Sequence, residues 1–232
     1  MRILAVDTAT EVCGVALWED DHITAEIRMS QGKTHTQTIM TAIEAVLEKG
    51  RLAPNSLDAF VVTQGPGSFT GLRIGISTVK GLAAATGKPL VGISTLAVLA
   101  HQAPDGTPWV CPMIDARRRE VYWSIYRRQD NALVQAAPER AGKMADVRLG
   151  GEGGCLFIGS GARLYAQALQ ERWPQAAHLA DDKQHDLRPG VLASLGAQRL
   201  GQGFTEDLHR FTPVYLRPSD AELGAAQEGR SQ

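Results

Sequence analysis

Cysteine is scarce in this 232-residue chain. Cys13, Cys111 and Cys155 lie far apart, each among apolar neighbours (VCGVAL, WVCPMI, GCLFIG). An odd, scattered set argues against a disulfide framework and predicts buried, reduced thiols. The histidines are equally dispersed, and no H-x-x-x-H, H-E-x-x-H or C-x-x-C occurs, so the spacings that zinc chemistry uses are missing and no metal site is expected. His35, in a Thr-rich helix start, suits capping or solvent contact better than catalysis. Basic charge is not in excess: 24 Lys and Arg stand against 25 Asp and Glu, a net charge of −1. A chain that grips several phosphates unaided shows a surplus of Lys and Arg, so nucleic-acid binding by this chain alone is not expected. Its one basic cluster, Arg117-Arg118-Arg119 between Asp115 and Glu120, reads as a solvated hairpin turn with its salt bridges. No apolar run approaches the roughly 18 residues of a membrane span. The opening MRILAVDTAT is interrupted by Asp7 too early for a signal peptide, so a cytoplasmic location is expected.

What the chain does have is an ordinary globular balance, 44% hydrophobic and 21% charged residues. Residues 3–6 are apolar on both faces, as in a central strand covered on both sides. Residues 12–18 return as a second strand, Asp20-Asp21 turns the chain, and Ile23, Ala25 and Ile27 alternate as a third. A helix is expected from Thr34, with Gln37 completing a capping box. Ile39, Met40, Ile43, Val46 and Leu47 form its apolar stripe. A strand over 57–63, a helix over 72–86, a strand over 89–94 and a helix over 95–101 follow. The second half repeats the order: strands at 109–114, 121–126 and 132–136, a helix at 141–147, a strand at 156–158, and helices at 162–172 and 189–200. The chain is therefore α/β, two β-β-β-α-β-α domains over 1–104 and 105–218. Residues 219–232 are expected to be a disordered tail, since 221–232 lack apolar periodicity.

Two segments could carry chemistry. Asp7-Thr8-x-Thr10 puts a carboxylate and hydroxyls at the first hairpin turn, where they could hold a phosphate or a metal-bound water or simply form the turn. The loop GPGSFTGLR opens a helix whose N–H groups would favour an anion, or it is a capped strand-to-helix turn. It lacks the Lys-Ser/Thr of a P-loop and the G-x-S-x-G of a nucleophile elbow. The candidate phosphate or nucleotide residues are Asp7, Thr8, Gly65, Gly67, Ser68, Gly71 and Arg73. The helix after the loop carries Gly71 and Gly75, then Ser77, Gly81 and Ala85, at four-residue spacing. Each interior glycine costs about 1 kcal/mol against alanine, so close approach by another element is expected. With the stripe on the preceding helix, this points to a contact with another subunit through Ile39, Met40, Ile43, Leu47, Gly75, Val79 and Leu82; the alternative is that both helices merely cover their own sheet.

The block GPGSFTGLRIGISTVKGLAAATGKPLVGISTL resembles the bacterial TsaB (YeaZ) family. ILAVDTAT, MIDARRREVYW and TPVYLRP resemble it too, in the same order. The resemblance implies a duplicated fold of the actin, Hsp70 and sugar-kinase (ASKHA) type. It also implies a non-catalytic subunit that acts with TsaD and TsaE in transferring threonylcarbamoyl to adenosine 37 of tRNAs reading ANN codons. Partners implied are TsaD, TsaE and a second copy of the chain, with tRNA met only through the complex. TsaD-like proteins carry a histidine pair where this chain aligns Thr95 and Leu99, neither of which can replace imidazole. Of the second glycine loop only Gly159-Ser160-Gly161 is present. No cofactor is therefore expected in the chain alone, and ATP or ADP would sit at the interface of the complex. The competing readings are an independent kinase or ATPase of the same fold and, less favoured, a peptidase.

Overall fold

The computed structural model describes residues 1–30, 35–130 and 132–217. The Thr34 cap and the 219–232 tail expected from the sequence fall outside them. The chain begins with β1 (Arg2–Asp7), β2 (Val12–Glu19) and β3 (His22–Ser30). Asp20 and Asp21 join the last two with φ of 46° and 67°, the left-handed pair that a two-residue hairpin turn requires. Helix α1 (His35–Gly50), strand β4 (Ala59–Gly65), helix α2 (Phe69–Thr86), strand β5 (Leu90–Ser94) and helix α3 (Thr95–Ala100) complete the first half. Its five strands run in the order β3-β2-β1-β4-β5, antiparallel through the hairpins and parallel from β1 to β4 to β5.

The second half repeats that sheet. It contains β6 (Trp109–Asp115), β7 (Glu120–Gln129), β8 (Ala132–Lys143), β9 (Cys155–Ile158), α4 (Ser160–Leu164), α5 (Ala166–Arg172), β10 (Ala177–Leu179) and α6 (Pro189–Gly201). The order β10-β9-β6-β7-β8 is the first sheet's order with each strand replaced by its equivalent. Three details differ from the sequence expectation. Residues 141–143 continue β8, where they pair with Tyr122, Val121 and Glu120, and only a single 3-10 turn follows, in place of a helix over 141–147. Residue-by-residue pairing with β7 outweighs the local helix preference of this segment. Pro138 is tolerated within it because β8 pairs on one side only. The helix expected over 162–172 is broken at Tyr165, and the short strand β10 was not anticipated.

Alternation along the central strands divides the interior. Leu4, Val6, Phe60 and Val62 point to a core shared with α1 and α2, while Ile3, Ala5, Ala59 and Val61 point to one shared with α3 and α6. That second core continues into the other sheet through Val110, Ile114, Tyr122 and Tyr126. Helix α3 packs against β6, and α6 returns from the second half to lie across β1, β2 and β5. The halves therefore share one apolar body, to which Ser94, donating to Glu139 on β8, adds a polar link.

The stripe on α1 is spent on its own sheet. Ile39, Ile43, Val46 and Leu47 are buried in the first core, as is Val79 of α2, and Gly75 is buried beneath Thr8. These residues were expected to face a partner. The correction is physical: a helix covering a sheet buries its most apolar face there, leaving the opposite face outward. Of the anticipated contact residues, Met40 is exposed and Leu82 is half-buried.

Glycines 75 and 81 give a direct test. A Cβ on Gly75 would overlap Thr8 Oγ1, whereas nothing lies within 4 Å of one on Gly81. In chemical denaturation, Gly75→Ala is expected to cost about 1–3 kcal/mol by overpacking, and Gly81→Ala to be neutral or stabilising by up to about 1 kcal/mol. The comparison is made at concentrations where the chain is monomeric, and a comparable loss at Gly81 there would show that α2 is crowded on that face too.

Candidate functional site

The ends of β1 and β4 meet at the segment singled out in the sequence. Asp7 and Thr8 are fully buried. Asp7 Oδ1 accepts from the Ala9 N–H at 2.9 Å and from Thr63 Oγ1 at 2.7 Å, and Oδ2 accepts from Thr10 Oγ1 at 3.3 Å. Thr8 Oγ1 donates to the Gly71 carbonyl at 2.7 Å, and the Ser68 N–H donates to the Ala9 carbonyl at 2.8 Å. Ser68 caps α2, its hydroxyl accepting from the Gly71 N–H at 3.2 Å.

This geometry packs the glycine loop tightly against the turn after β1. A Cβ on Gly67 would overlap Ala9, and one on Gly71 would overlap the Thr8 carbonyl oxygen. The space opened by the missing side chains is thus filled by the Thr8–Ala9 backbone. Gly65, at φ 120°, is pressed by the carbonyl of Val214, whose N–H donates to Gln64 O at 2.7 Å. The expected cradle of Asp7, Thr8, Gly65, Gly67 and Gly71 is brought together as a tightly packed joint, with the Thr8 hydroxyl and the Gly71 N–H bonded within it. Only Ser68 and Arg73 of that set are exposed.

The second half uses the same device. A Cβ on Gly159 would overlap the Met113 carbonyl, and Gly161 lies against the backbone of residues 113 and 114. The Gly159 N–H donates to His185 Nδ1 at 3.0 Å, and burial, followed by the Arg163 charge, lowers the His185 pKa. Ser160 Oγ accepts from the Asp115 N–H at 3.1 Å. Thr95 and Leu99 are fully buried between the sheets. Among the described residues, no three His, Cys, Asp or Glu side chains gather as a metal would need, and no helix is long and apolar enough to cross a membrane.

Between the two joints lies a cleft of about 760 Å³, walled by residues 9–11 and 67–70 of the first half, 114–117, Tyr122, Ser160, Arg163 and Leu164 of the second, and Tyr215 and Arg217. Its charges are paired across segments. Arg117 reaches Glu11 at 3.0 Å and Asp115 at 3.7 Å, and Arg217 reaches Glu120 at 2.7 Å. The Glu120 carboxylate thus reaches an arginine far from its own hairpin. The sequence pointed to DARRREVYW and TPVYLRP only as blocks; their meeting at one cleft is a product of the fold.

A duplicated α/β body with a central cleft, glycine turns at equivalent strand ends and a terminal helix crossing between halves defines the ASKHA class. Component A of (R)-2-hydroxyglutaryl-CoA dehydratase from Acidaminococcus fermentans shares the fold at 11% identity, with a TM-score of 0.51 over 85% of this chain and 99% of that one. The model of the TsaD family, tRNA N6-adenosine threonylcarbamoyltransferase, matches residues 22–225. The tRNA threonylcarbamoyladenosine biosynthesis protein TsaB of Bacillus subtilis is 32% identical over 96% of both chains. The solved structure of YeaZ from Pseudomonas aeruginosa superimposes with a TM-score of 0.79 at 32% identity, covering 93% of this chain and 99% of that one. The chain belongs to the TsaB (YeaZ) family.

Asp7 makes the closed joint testable by pH. Burial pushes its carboxyl up to about 6, against hydrogen bonds from Thr63, Ala9 and Thr10 that hold it down. The folded-state pKa lies above the ordinary value of 3.8, so the native state binds the proton more tightly. Stability from this group therefore falls as pH rises from about 4 to 6, and the cost of ionisation is fully present above that window. Asp7→Asn keeps an acceptor for Ala9 and Thr63 and removes the charge. It is expected to be about 1–3 kcal/mol more stable than the parent at pH 8 and equal near pH 4. A less stable variant at pH 8 would show that the joint needs the carboxylate.

Proposed function

We propose that the chain is a non-catalytic subunit that works with TsaD and TsaE in placing threonylcarbamoyl on adenosine 37 of tRNAs reading ANN codons. The observation that most supports this reading is the packed glycine turn: Thr8 and Ala9 take the space beside Gly67, Gly71 and Gly75, and we read that packing as leaving no phosphate cradle in this chain. With both oxygens of Asp7 held by neighbours, an independent kinase is the weaker alternative, and the peptidase has no nucleophile–base pair to support it. The family relative's part in threonylcarbamoyladenosine biosynthesis supplies the pathway. ATP or ADP, where the complex uses it, is placed at a subunit boundary rather than within this chain.

The partner surface in this proposal is the outward side of α1 and α2. On α1 Met40 is 39% exposed, and on α2 the small residues Ser77, Gly81, Ala84 and Ala85 are exposed. Small residues let a second helix approach closely, and two helix faces can supply the roughly 1,200–2,000 Å² of a standard interface. TsaD and a second copy of the chain compete for this one surface.

The test is tRNA threonylcarbamoylation with purified TsaD, TsaE and donor synthase, with and without this chain. Modification is expected to require the chain, while the chain alone hydrolyses neither ATP nor peptide. Equal modification without it would refute the proposal. Gly81→Arg is expected to weaken both the homodimer and the TsaD complex by about tenfold or more, with the melting temperature of the chain unchanged. Loss of one association but not the other, measured by analytical ultracentrifugation, would refute the shared surface.

A further inference from the structure

The tip of the β6–β7 hairpin is unusual in its chemistry. Arg117, Arg118 and Arg119 follow one another with φ of 63°, 53° and 63°, and all three are exposed. Side chains other than Gly, Asn and Asp are disfavoured in that left-handed region, and Asn-Gly or Asp-Gly would turn a hairpin without the penalty. The turn is nonetheless well closed. The Ala116 N–H donates to Glu120 O at 3.0 Å, the Glu120 N–H to Arg117 O at 2.9 Å, and the Arg117 N–H to Asp115 Oδ1 at 2.8 Å. Three like charges and three strained residues at one tip exceed what a connecting turn needs.

The tip stands at the mouth of the cleft, which Arg117 lines together with Arg163 and Arg217. On the first-half wall, the rings of Phe69 and Tyr215 stack with centroids 4.5 Å apart. The Arg73 guanidinium lies 3.9 Å over Phe69 and donates to the Tyr215 hydroxyl at 3.1 Å. Tyr215 is 39% exposed, so the stack ends in an accessible ring. The carboxylates here are held in ion pairs, of which Arg117–Glu11 is open to solvent on both sides, at 69% and 77%. Exposed pairs of that kind contribute little and exchange readily for another anion.

We infer that the arginine tip and the Phe69–Tyr215 stack form a contact for RNA, with backbone phosphates on the guanidinium groups and an unstacked base against Tyr215. Fork-shaped guanidinium donors match phosphate oxygens, and an exposed aromatic ring beside arginines is the arrangement that takes single-stranded bases. An acidic protein would use mainly the charge, whereas RNA uses the charge and the ring together, a phosphate and a base from each nucleotide. The inference rests on the proposed function in that RNA is the substrate class there. The contact is local, on a chain whose net charge is −1, so it is weak alone and adds to the grip of a complex.

The experiment measures fluorescence anisotropy of a labelled tRNA anticodon stem-loop with the full chain across a salt series. Salt-sensitive binding is expected from the parent. Arg118→Gly with Arg119→Gly is expected to weaken it at least about fivefold and to flatten the log–log salt slope by about 1.5. Its melting temperature should stay equal or rise, because glycine adopts positive φ freely. Tyr215→Ala should weaken binding without changing the slope, and Arg210→Ala, on a side chain outside the cleft lining, should do neither. Three results would overturn the inference: no salt-sensitive binding by the parent, unchanged binding by the glycine variant, or capture of poly-glutamate as tightly as RNA. Should modification require the chain while the glycine variant binds the stem-loop and supports modification normally, the inference falls and the proposed function stands. Should modification proceed without the chain, the function falls whatever the binding curve shows.

Discussion

Thr8 and Ala9 press into a helix face from which side chains have been removed, and the architecture of the first half depends on that contact. Gly67, Gly71 and Gly75 leave just enough room for the turn after β1. The turn in turn supplies acceptors and a donor: Ala9 O to Ser68, and Thr8 Oγ1 to Gly71 O. The contact sets the height of α2 over the sheet, and with it the packing of Ile76 and Val79 beneath it. Gly71 and Gly75, which lie within α2, each weaken the helix by roughly 1 kcal/mol, offset by a hydrogen-bonded joint that larger residues would force apart. The same solution recurs at Gly159 and Gly161, which lie against the backbone of residues 113 and 114 in the second half.

A shared apolar body then holds the two halves together. Helix α3 lies against β6 and α6 lies against β1 and β2, so each half donates a helix to the other's sheet. Burial of residues such as Leu96, Leu99 and Leu192, each worth about 1.5–3 kcal/mol on removal from water, leaves little freedom for the halves to move as independent bodies. The cleft between them is consequently a fixed feature, and its walls come from segments far apart in sequence.

Charge is arranged differently from apolar surface. The ionic contacts that cross the cleft are exposed or half-buried, and none sits in the deep core. They contribute modestly to stability, but they bring arginines to the mouth of the cleft beside stacked aromatic rings. The outer face of α2, by contrast, carries small residues and little charge. The protein thus presents two surfaces of distinct chemistry, one suited to close helix packing and the other to anions.

The sequence by itself determined the strand pattern of both halves, because residues such as Ile3 to Val6 are apolar on both faces and the turns carry their own signals in Asp20-Asp21 and GPGSFTGLR. It also showed that the small-residue helix must be approached closely. What approaches it was decided only by tertiary structure, since a glycine records that space is needed and not which neighbour takes it; the neighbour of Gly75 is Thr8 of the same chain. Likewise the α1 stripe announced burial without saying whether in the chain's own core or against another subunit, and α1 lies against β2 and β3. Residues 141–143 have a local preference for helix and become strand because β7 offers hydrogen bonds along their whole length. The cleft was illegible for the same reason, because residues 9–11 and 67–70 meet Tyr122, Arg163 and Arg217 only after the two halves have come together.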